Sequence, residues 1–477
     1  MVGKWQKTTI EMLPEDTLVE VFDFYRLENK QPYGRPWKWH RLAHVCQKWR
    51  RVISMSPRRL DLRIFCRRSG APITSILASW PTVPLVVMYG CTTRASRKPL
   101  AKHMPRHILV ALRHPDRLSE IDLDVTSSMT RLMVETIQKP CKILERIRIR
   151  VQDTTGSPLL VHGAFLGGSA PHLRQIKLDG IAFLFPEIRR VLLSTSNLIK
   201  LDLSNIPNDV YFSPDDLVTV LSTLVLLNRL KVGFHSPASS PPPSMTHPPP
   251  RRATLPFLAE LYFRGTSEYL EEFVARIDLP ALCAIKVKLF NQIFFEIPQF
   301  CQFIRHPNAL GSLGAVSITH SPEYVNLFLC PQWYIMCHCQ FQTSCRRLDW
   351  QLSFVTQISS ELSPLLPGIH SFTIDSAGES PNQEDMDSTQ WLELFRLFTH
   401  VKEVCISNAP LVLSIMQALG SEDMSIEILP ELTSLEFRMP YGRLSGSNFE
   451  SLKIAAEQFV ARRMSSDGRT VKLIGLT

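Results

Sequence analysis

Thiols and imidazoles crowd together at one place in this chain, Cys330, Cys337, His338, Cys339 and Cys345. A zinc site built on them would want two short Cys-x(2–4)-Cys knuckles set well apart. Cys337-His338-Cys339 is too crowded for that, and in a strand it would turn both thiols to one face and the imidazole to the other. Buried thiols of a core are the expectation, with no metal and no cofactor. Gly167-Gly168 follows an apolar stretch but lacks the rest of a phosphate-binding fingerprint. There is no Gly-x-Ser-x-Gly elbow and no His-Glu-x-x-His pair. No histidine forms a nucleophile-and-base signature with a cysteine. No catalytic residue is expected, and the chain reads as a non-enzyme.

Charge offers a different chemistry, which is binding. Lys plus Arg exceed Asp plus Glu by 53 − 44 = 9, and the pI is about 9.0. Such an excess favours acidic partners. It is not gathered in one tail. It recurs at alternate positions of short apolar runs, as in Arg146-Ile147-Arg148-Ile149-Arg150 and Lys286-Val287-Lys288.

The element that must position these residues is a repeat. The pattern Φ-x-x-Φ-x-Φ, with Φ apolar, returns from Leu118-Ile121-Leu123 to Leu432-Leu435-Phe437, with a weak copy at Cys345-Leu348-Trp350. Successive copies advance by 24 to 32 residues. The last two apolar positions project from one face of a short strand into a core. The remainder of each unit returns through a helix, and Val191-Leu192-Leu193, Leu217 to Leu226, Leu270-Phe273-Val274-Ile277 and Leu392-Phe395-Leu397 read as such helices. This period predicts an α/β leucine-rich-repeat solenoid with a curved parallel sheet, in preference to an ordinary doubly wound α/β domain. Leu60 to Ile64 and Pro84 to Met88 read as earlier strands, so the solenoid is expected to span 59–477. The asparagine usual after the strand is approached only at Leu203-Ser204-Asn205 and Ile406-Ser407-Asn408, so the repeats are degenerate.

The residue between the two core positions faces outward. That column runs Asp122, Arg148, Lys177, Asp202, Lys231, Tyr262, Lys286, Ser317, Asp349, Thr373, Cys405, Glu436, flanked by Arg146, Arg150, Arg229, Arg264 and Lys288. The expectation is a nearly continuous basic stripe on the concave face. Arg148, Lys177, Lys231, Tyr262, Arg264 and Lys286 would hold an acidic or phosphorylated target there. A solvated face without a partner is the plainer alternative. Nucleic acid is disfavoured, since one aromatic is too few for base stacking.

The first residues follow another pattern. Leu13-Pro14-Glu15-Asp16 suits the first turn of a helix, where a missing N–H and negative charge are both favourable. Leu18, Val21, Phe22 and Tyr25 then fall on one stripe. Residues 27–36 read as a loop. A second helix carries Leu42, Val45, Cys46, Trp49, Val52 and Ile53 on one face and ends near Ser56-Pro57. Two helices in about fifty residues bury too little alone, so either the repeats or a partner must cover them. Leu13-Pro14-Glu15 with Leu18 and Phe22, then Leu42-x-x-Val45-Cys46-x-x-Trp49-x-x-Val52, resemble an F-box over residues 8–58. The lead-in Pro36-Trp37-Lys38-Trp39-His40 resembles the fungal, mushroom-type members, although the segment 27–36 is longer than the usual link. The resemblance implies that Leu13, Pro14, Glu15, Leu18, Phe22, Leu42, Val45, Cys46, Trp49 and Val52 bind a Skp-type adaptor and, through it, a cullin. The chain would then be the substrate-recognition subunit of a ubiquitin ligase. The alternative is a repeat scaffold or nucleic-acid-associated protein whose N-terminal helices only cap the repeats.

Residues 236–252, with seven prolines, cannot build a core and are expected to form a disordered insertion. At 44% hydrophobic and 20% charged, the rest can bury a core. No run of eighteen apolar residues exists to span a membrane, and no secretory signal is expected from the opening residues. Eleven cysteines, an odd number, and no Asn-x-Ser/Thr acceptor fit a reducing cytoplasmic or nuclear setting.

Overall fold

In many repeats the opening apolar residue closes a tight turn ahead of its strand. Leu144 donates its N–H to the Cys141 carbonyl, Leu173 to Ala170, Leu227 to Leu224, Leu258 to Leu255, Leu282 to Leu279 and Leu432 to Leu429. In this computed structural model the described residues are 12–28, 39–56, 59–66, 73–90, 104–152, 159–161, 164–183, 185–207, 210, 212–235, 252–290, 296–305, 313–331, 339–376, 388–407, 409–420, 428–438, 446–467 and 470–475. Cys337, His338 and the proline-rich stretch up to Arg251 lie outside them. The chain divides into two compact units, Met1–Lys200 and Leu201–Thr477.

In the first unit the strands Ile64–Cys66, Leu85–Tyr89, Leu118–Val125, Arg146–Val151 and Gln175–Asp179 are parallel neighbours in that order. Helices Ile73–Ser79, Met104–Leu112 and Ser127–Thr136 alternate with them, and Phe185–Leu193 follows. Register aligns Ile121 with Ile147 and Ile147 with Ile176, so like side chains stack into a continuous core. Three helical segments precede the strands: Glu15–Glu28, a 3-10 stretch Trp39–His44, and Gln47–Met55. Trp39 ties them to the repeats. Its ring meets Trp80 edge-on at 5.0 Å, and its indole N–H donates to the Arg63 carbonyl at 3.1 Å. These helices therefore pack with the first strands, inside the unit Met1–Lys200.

The second helix differs from its periodic expectation. The 3-10 stretch turns every three residues, which rotates Val45 off the apolar stripe. Val45 is exposed, and Cys46 is a half-buried N-cap whose sulfur accepts from the Trp49 N–H, not a core residue.

The second unit starts on the strand Lys200–Ile206, whose first residue closes the first unit. Its neighbour Arg229–Phe234 is followed by Glu260–Gly265 and Ala284–Leu289, the last three pairing in parallel. Helices Pro214–Leu221 and Ser267–Val274 return between them, capped by Ser213 and Thr266. The expected parallel order then breaks. Ala315–His320 and Val325–Cys330 form an antiparallel hairpin, closed by the Ser321 N–H on the Tyr324 carbonyl, and Cys339–Thr343 pairs back onto Ala284–Leu289. Parallel order resumes through Ser371–Ser376, Glu403–Ile406, Ser434–Phe437 and Lys472–Ile474.

The weak copy at Cys345-Leu348-Trp350 is not a strand. Leu348–Glu361 is a helix that buries Leu348, Gln351, Leu352, Val355 and Ile358. Those positions keep the 3.6-residue period over four turns, which outweighs a three-residue match to a strand pattern. Asp349 consequently leaves the outward column. The other eleven copies each place their last two apolar residues in a strand and in the core, so the local pattern is a sound guide to the strands.

Candidate functional site

Outward strand positions supply the candidate site, and the two units differ in charge. In the first unit, parallel register sets Glu120 beside Arg146, Asp122 beside Arg148 and Asp124 beside Arg150, with Lys177 beyond Arg148 and Asp179 beyond Arg150. Arg148 reaches Asp122 at 3.1 Å and Asp124 at 3.5 Å, and Arg150 reaches Asp179 at 3.2 Å. Arg146 binds Glu120, which also takes Arg63. Four cations face four carboxylates, so the expected basic stripe is neutral here. Glu120, Asp124 and Asp179 lie outside the expected column and its basic flank, and they supply the neutralising charge. Glu120 and Asp124 alternate with Asp122 in Ser119-Glu120-Ile121-Asp122-Leu123-Asp124, and Asp179 alternates with Lys177 in Lys177-Leu178-Asp179, which was the available signal. A cleft of about 300 Å³ at the start of these strands is lined by Asp61, Arg63, Glu145, His172 and Arg174. Arg63 satisfies Asp61 and Glu145 there, each at 3.0 Å.

The second unit keeps its positive charge. Arg229, Lys231, Arg264, Lys286 and Lys288 stand against Glu260 and Asp202, five minus two, a net +3. Tyr262 sits at the centre, in register between Lys231 and Lys286. Arg229 lies over its ring at 4.6 Å and Lys286 at 5.3 Å. The Tyr262 hydroxyl donates to Glu260 at 3.0 Å, and Arg229 pairs with the same carboxylate at 3.3 Å. Burial lifts the Tyr262 hydroxyl above its ordinary range, so the ring stays neutral under the cations. Farther along, Thr373 and Cys405 are buried and Ser317 is half-buried, so the column carries no charge there; Glu436 is acidic.

The N-terminal residues separate into core and surface. Leu18, Phe22, Trp49 and Val52 are buried, with the Phe22 and Trp49 rings edge-on at 4.8 Å. Leu13, Leu42 and Cys46 are half-buried, whereas Pro14, Glu15 and Val45 are exposed. Met12, Val21 and Phe24 add exposed apolar surface, Phe24 at 65%. Val21 thus leaves the stripe on which it was expected, and Phe24 was not foreseen.

Four buried thiols are not poised for chemistry. Burial pushes Cys66, Cys141 and Cys301 up to about 12, and Cys339 higher still. Among the described residues no three His, Cys, Asp or Glu side chains gather as a metal would require. Among the same residues no helix is long and apolar enough to cross a membrane.

Recurring Φ-x-x-Φ-x-Φ strands, largely parallel, with helices between many of them, make this a repeat-built mixed α/β protein. No protein-family model matches the chain. No curated protein matches it either. Among solved structures it is similar to the leucine-rich repeat-containing protein LegL7 from Legionella pneumophila, at 10% identity and a TM-score of 0.29, covering 84% of this chain and 98% of that one. It is also similar to a TLR13-ssRNA13 complex, at 10% identity and a TM-score of 0.27, covering 76% of this chain and 46% of that one.

Proposed function

We propose that the chain is the target-recognition subunit of a Skp–cullin–F-box ubiquitin ligase, holding an adaptor through its N-terminal helices and a target through the cationic strand face of the second unit. It works in the cytoplasm or nucleus and catalyses nothing itself. It raises the target's effective concentration near the transfer enzyme. The observation that carries this is the division of the N-terminal apolar residues: a filled core of Leu18, Phe22 and Trp49, and beside it Met12, Val21, Phe24 and Val45 turned to solvent. Exposed apolar side chains on so small a module are best accounted for by a partner.

Trp39 favours a second reading, in which the helices only cap the first repeats, because it binds them to Trp80 and Arg63. One titration decides between the two. Purified Skp-type adaptor is titrated into the full chain by calorimetry, then into Phe24→Ser with Val45→Ser. The adaptor reading expects binding that weakens at least about thirtyfold in the double variant, with unchanged thermal melting. An adaptor that ignores the wild-type chain refutes it and leaves the cap.

A further inference from the structure

Charge at the strand-start cleft of the first unit is divided between two sides. On one side Asp61 and Glu145 each meet Arg63 at 3.0 Å, and Arg63 also takes Glu120, which shares Arg146. Three carboxylates against two guanidinium groups leave this side one negative charge in excess. Glu145 meets Arg63 through Oε2 alone, and among the described residues its Oε1 takes no hydrogen bond. The other side carries Arg174, His172 and Asn197, whose side chains form no hydrogen bond or ion pair among the described residues. Arg174 stands beside Glu145, because Arg146 and Gln175, the next residues along, are in register. Glu145 nevertheless turns the opposite way, to Arg63, and the Arg174 guanidinium is left unanswered. Toward Arg63 the cleft passes over two small residues, Pro84 and Ser119, and the Ser119 hydroxyl is spent on the Leu85 carbonyl at 2.9 Å.

We propose that this cleft binds a free α-amino acid with an apolar side chain, its carboxylate on Arg174 and its ammonium group on Glu145 Oε1. Adjacent strands lie about 4.8 Å apart, and the two charges of an α-amino acid sit on neighbouring carbon atoms, so one molecule meets both partners. The guanidinium fork takes a carboxylate through two parallel hydrogen bonds. A lone acid or a lone amine would answer one side only. With Arg174 counted, three cations balance three carboxylates, so a dipolar ligand keeps the balance and a phosphate dianion upsets it. The ligand's side chain rests on Pro84 and Ile143. At about 300 Å³ the cleft is at the small end of ligand sites, which suits a molecule of this size. The adaptor helices and the cationic face of the second unit take no part in it.

Calorimetry on the full chain tests this with leucine, valine and phenylalanine, with N-acetyl-leucine and leucinamide, and with inorganic phosphate. At least one free amino acid is expected to bind, and leucine at least tenfold tighter than either of its single-charge analogues. Arg174→Gln should weaken the amino acid at least tenfold, whereas Arg113→Gln, which removes an exposed cation outside the cleft, should leave it unchanged. Absence of binding for all three amino acids overturns the proposal. N-acetyl-leucine or leucinamide binding as tightly as leucine overturns it too, since one charge would then suffice. Phosphate binding in preference to the amino acids gives the cleft to a simple anion and likewise overturns it. Arg174 is exposed, and an unchanged thermal melt of its variant shows the fold intact. The comparison of leucine with its analogues needs no variant and decides the matter on the wild-type chain.

Discussion

Acid should loosen the second unit through a single buried imidazole. His320 is 2% exposed at the end of the hairpin strand, with Nδ1 3.0 Å from Gln351 Oε1 and its ring edge-on to Trp391 at 5.9 Å. Gln351 in turn donates to the Ser321 and Cys345 carbonyls, both at 2.8 Å, so its Oε1 accepts and the imidazole donates from Nδ1. Burial lowers its pKa from 6.5 to about 4. The folded value is depressed, so the stabilisation is complete above the unfolded value and is lost as pH falls from there through the folded one. Linkage over that gap is worth about 2.5 kcal/mol at pH 4.5 and about 3 kcal/mol once both states are protonated. Replacing His320 by Gln removes the titration and keeps an amide donor for Gln351. Hydrogen exchange of peptides covering 315–320 and 348–361, measured at pH 7.5 and 4.5 with intrinsic rates corrected, reads the local opening free energy. Wild type should lose about 2.5 kcal/mol more than H320Q between the two. Equal losses would mean that His320 is protonated in the folded state, and the buried-neutral assignment would fail.

Arg117 should matter to the N-terminal helices that it never touches. Its guanidinium donates to the carbonyls of Trp80 at 2.6 Å and Val83 at 2.9 Å, holding the loop whose Trp80 seats Trp39. Arg117→Met should cost about 3 kcal/mol in urea unfolding and expose residues 39–55 to exchange, whereas unchanged protection there would break the proposed chain of contacts. Phe22→Ala should destabilise the helices by about 3–5 kcal/mol because the ring is fully buried. Phe24→Ser, at 65% exposure, should change stability by less than about 0.5 kcal/mol yet weaken adaptor binding; a parallel loss of stability would place Phe24 in the core. Gly90 has φ +74° and would set a Cβ 2.6 Å from Asp124 Cβ. Gly90→Ala should therefore cost about 2 kcal/mol or more, and a neutral thermal melt would count against the close approach of Gly90 to the strand residue Asp124.

The strands were legible because they depend on local information. A Φ-x-x-Φ-x-Φ segment puts its first apolar residue in a turn and the other two on one face of the strand, whatever its neighbours do. In eleven copies the last two apolar residues follow that rule, from Ile121 and Leu123 to Leu435 and Phe437. The twelfth fails because Leu348, Leu352 and Val355 satisfy a longer helical period than the short strand match. The hairpin at Ala315–Cys330 was hidden for a different reason. Alternating apolar residues suit parallel and antiparallel neighbours equally, and only the pairing partner distinguishes them.

Charge was the least legible property, because its meaning depends on register. The sequence by itself determined that Arg146, Arg148 and Arg150 share a face, since alternation in a strand is covalent geometry. Whether that face is basic was decided by what lies about 4.8 Å away on the next strand. There Glu120, Asp122 and Asp124 neutralise one unit, while Tyr262, Gln340 and Gln342 leave Lys286 and Lys288 of the other positive. Similarly, the helical stripe made Leu18 and Phe22 apolar neighbours, but the 3-10 turn at Trp39–His44 turned Val45 out to solvent. Periodicity along the chain follows from local geometry; contacts across it exist only once distant segments have packed.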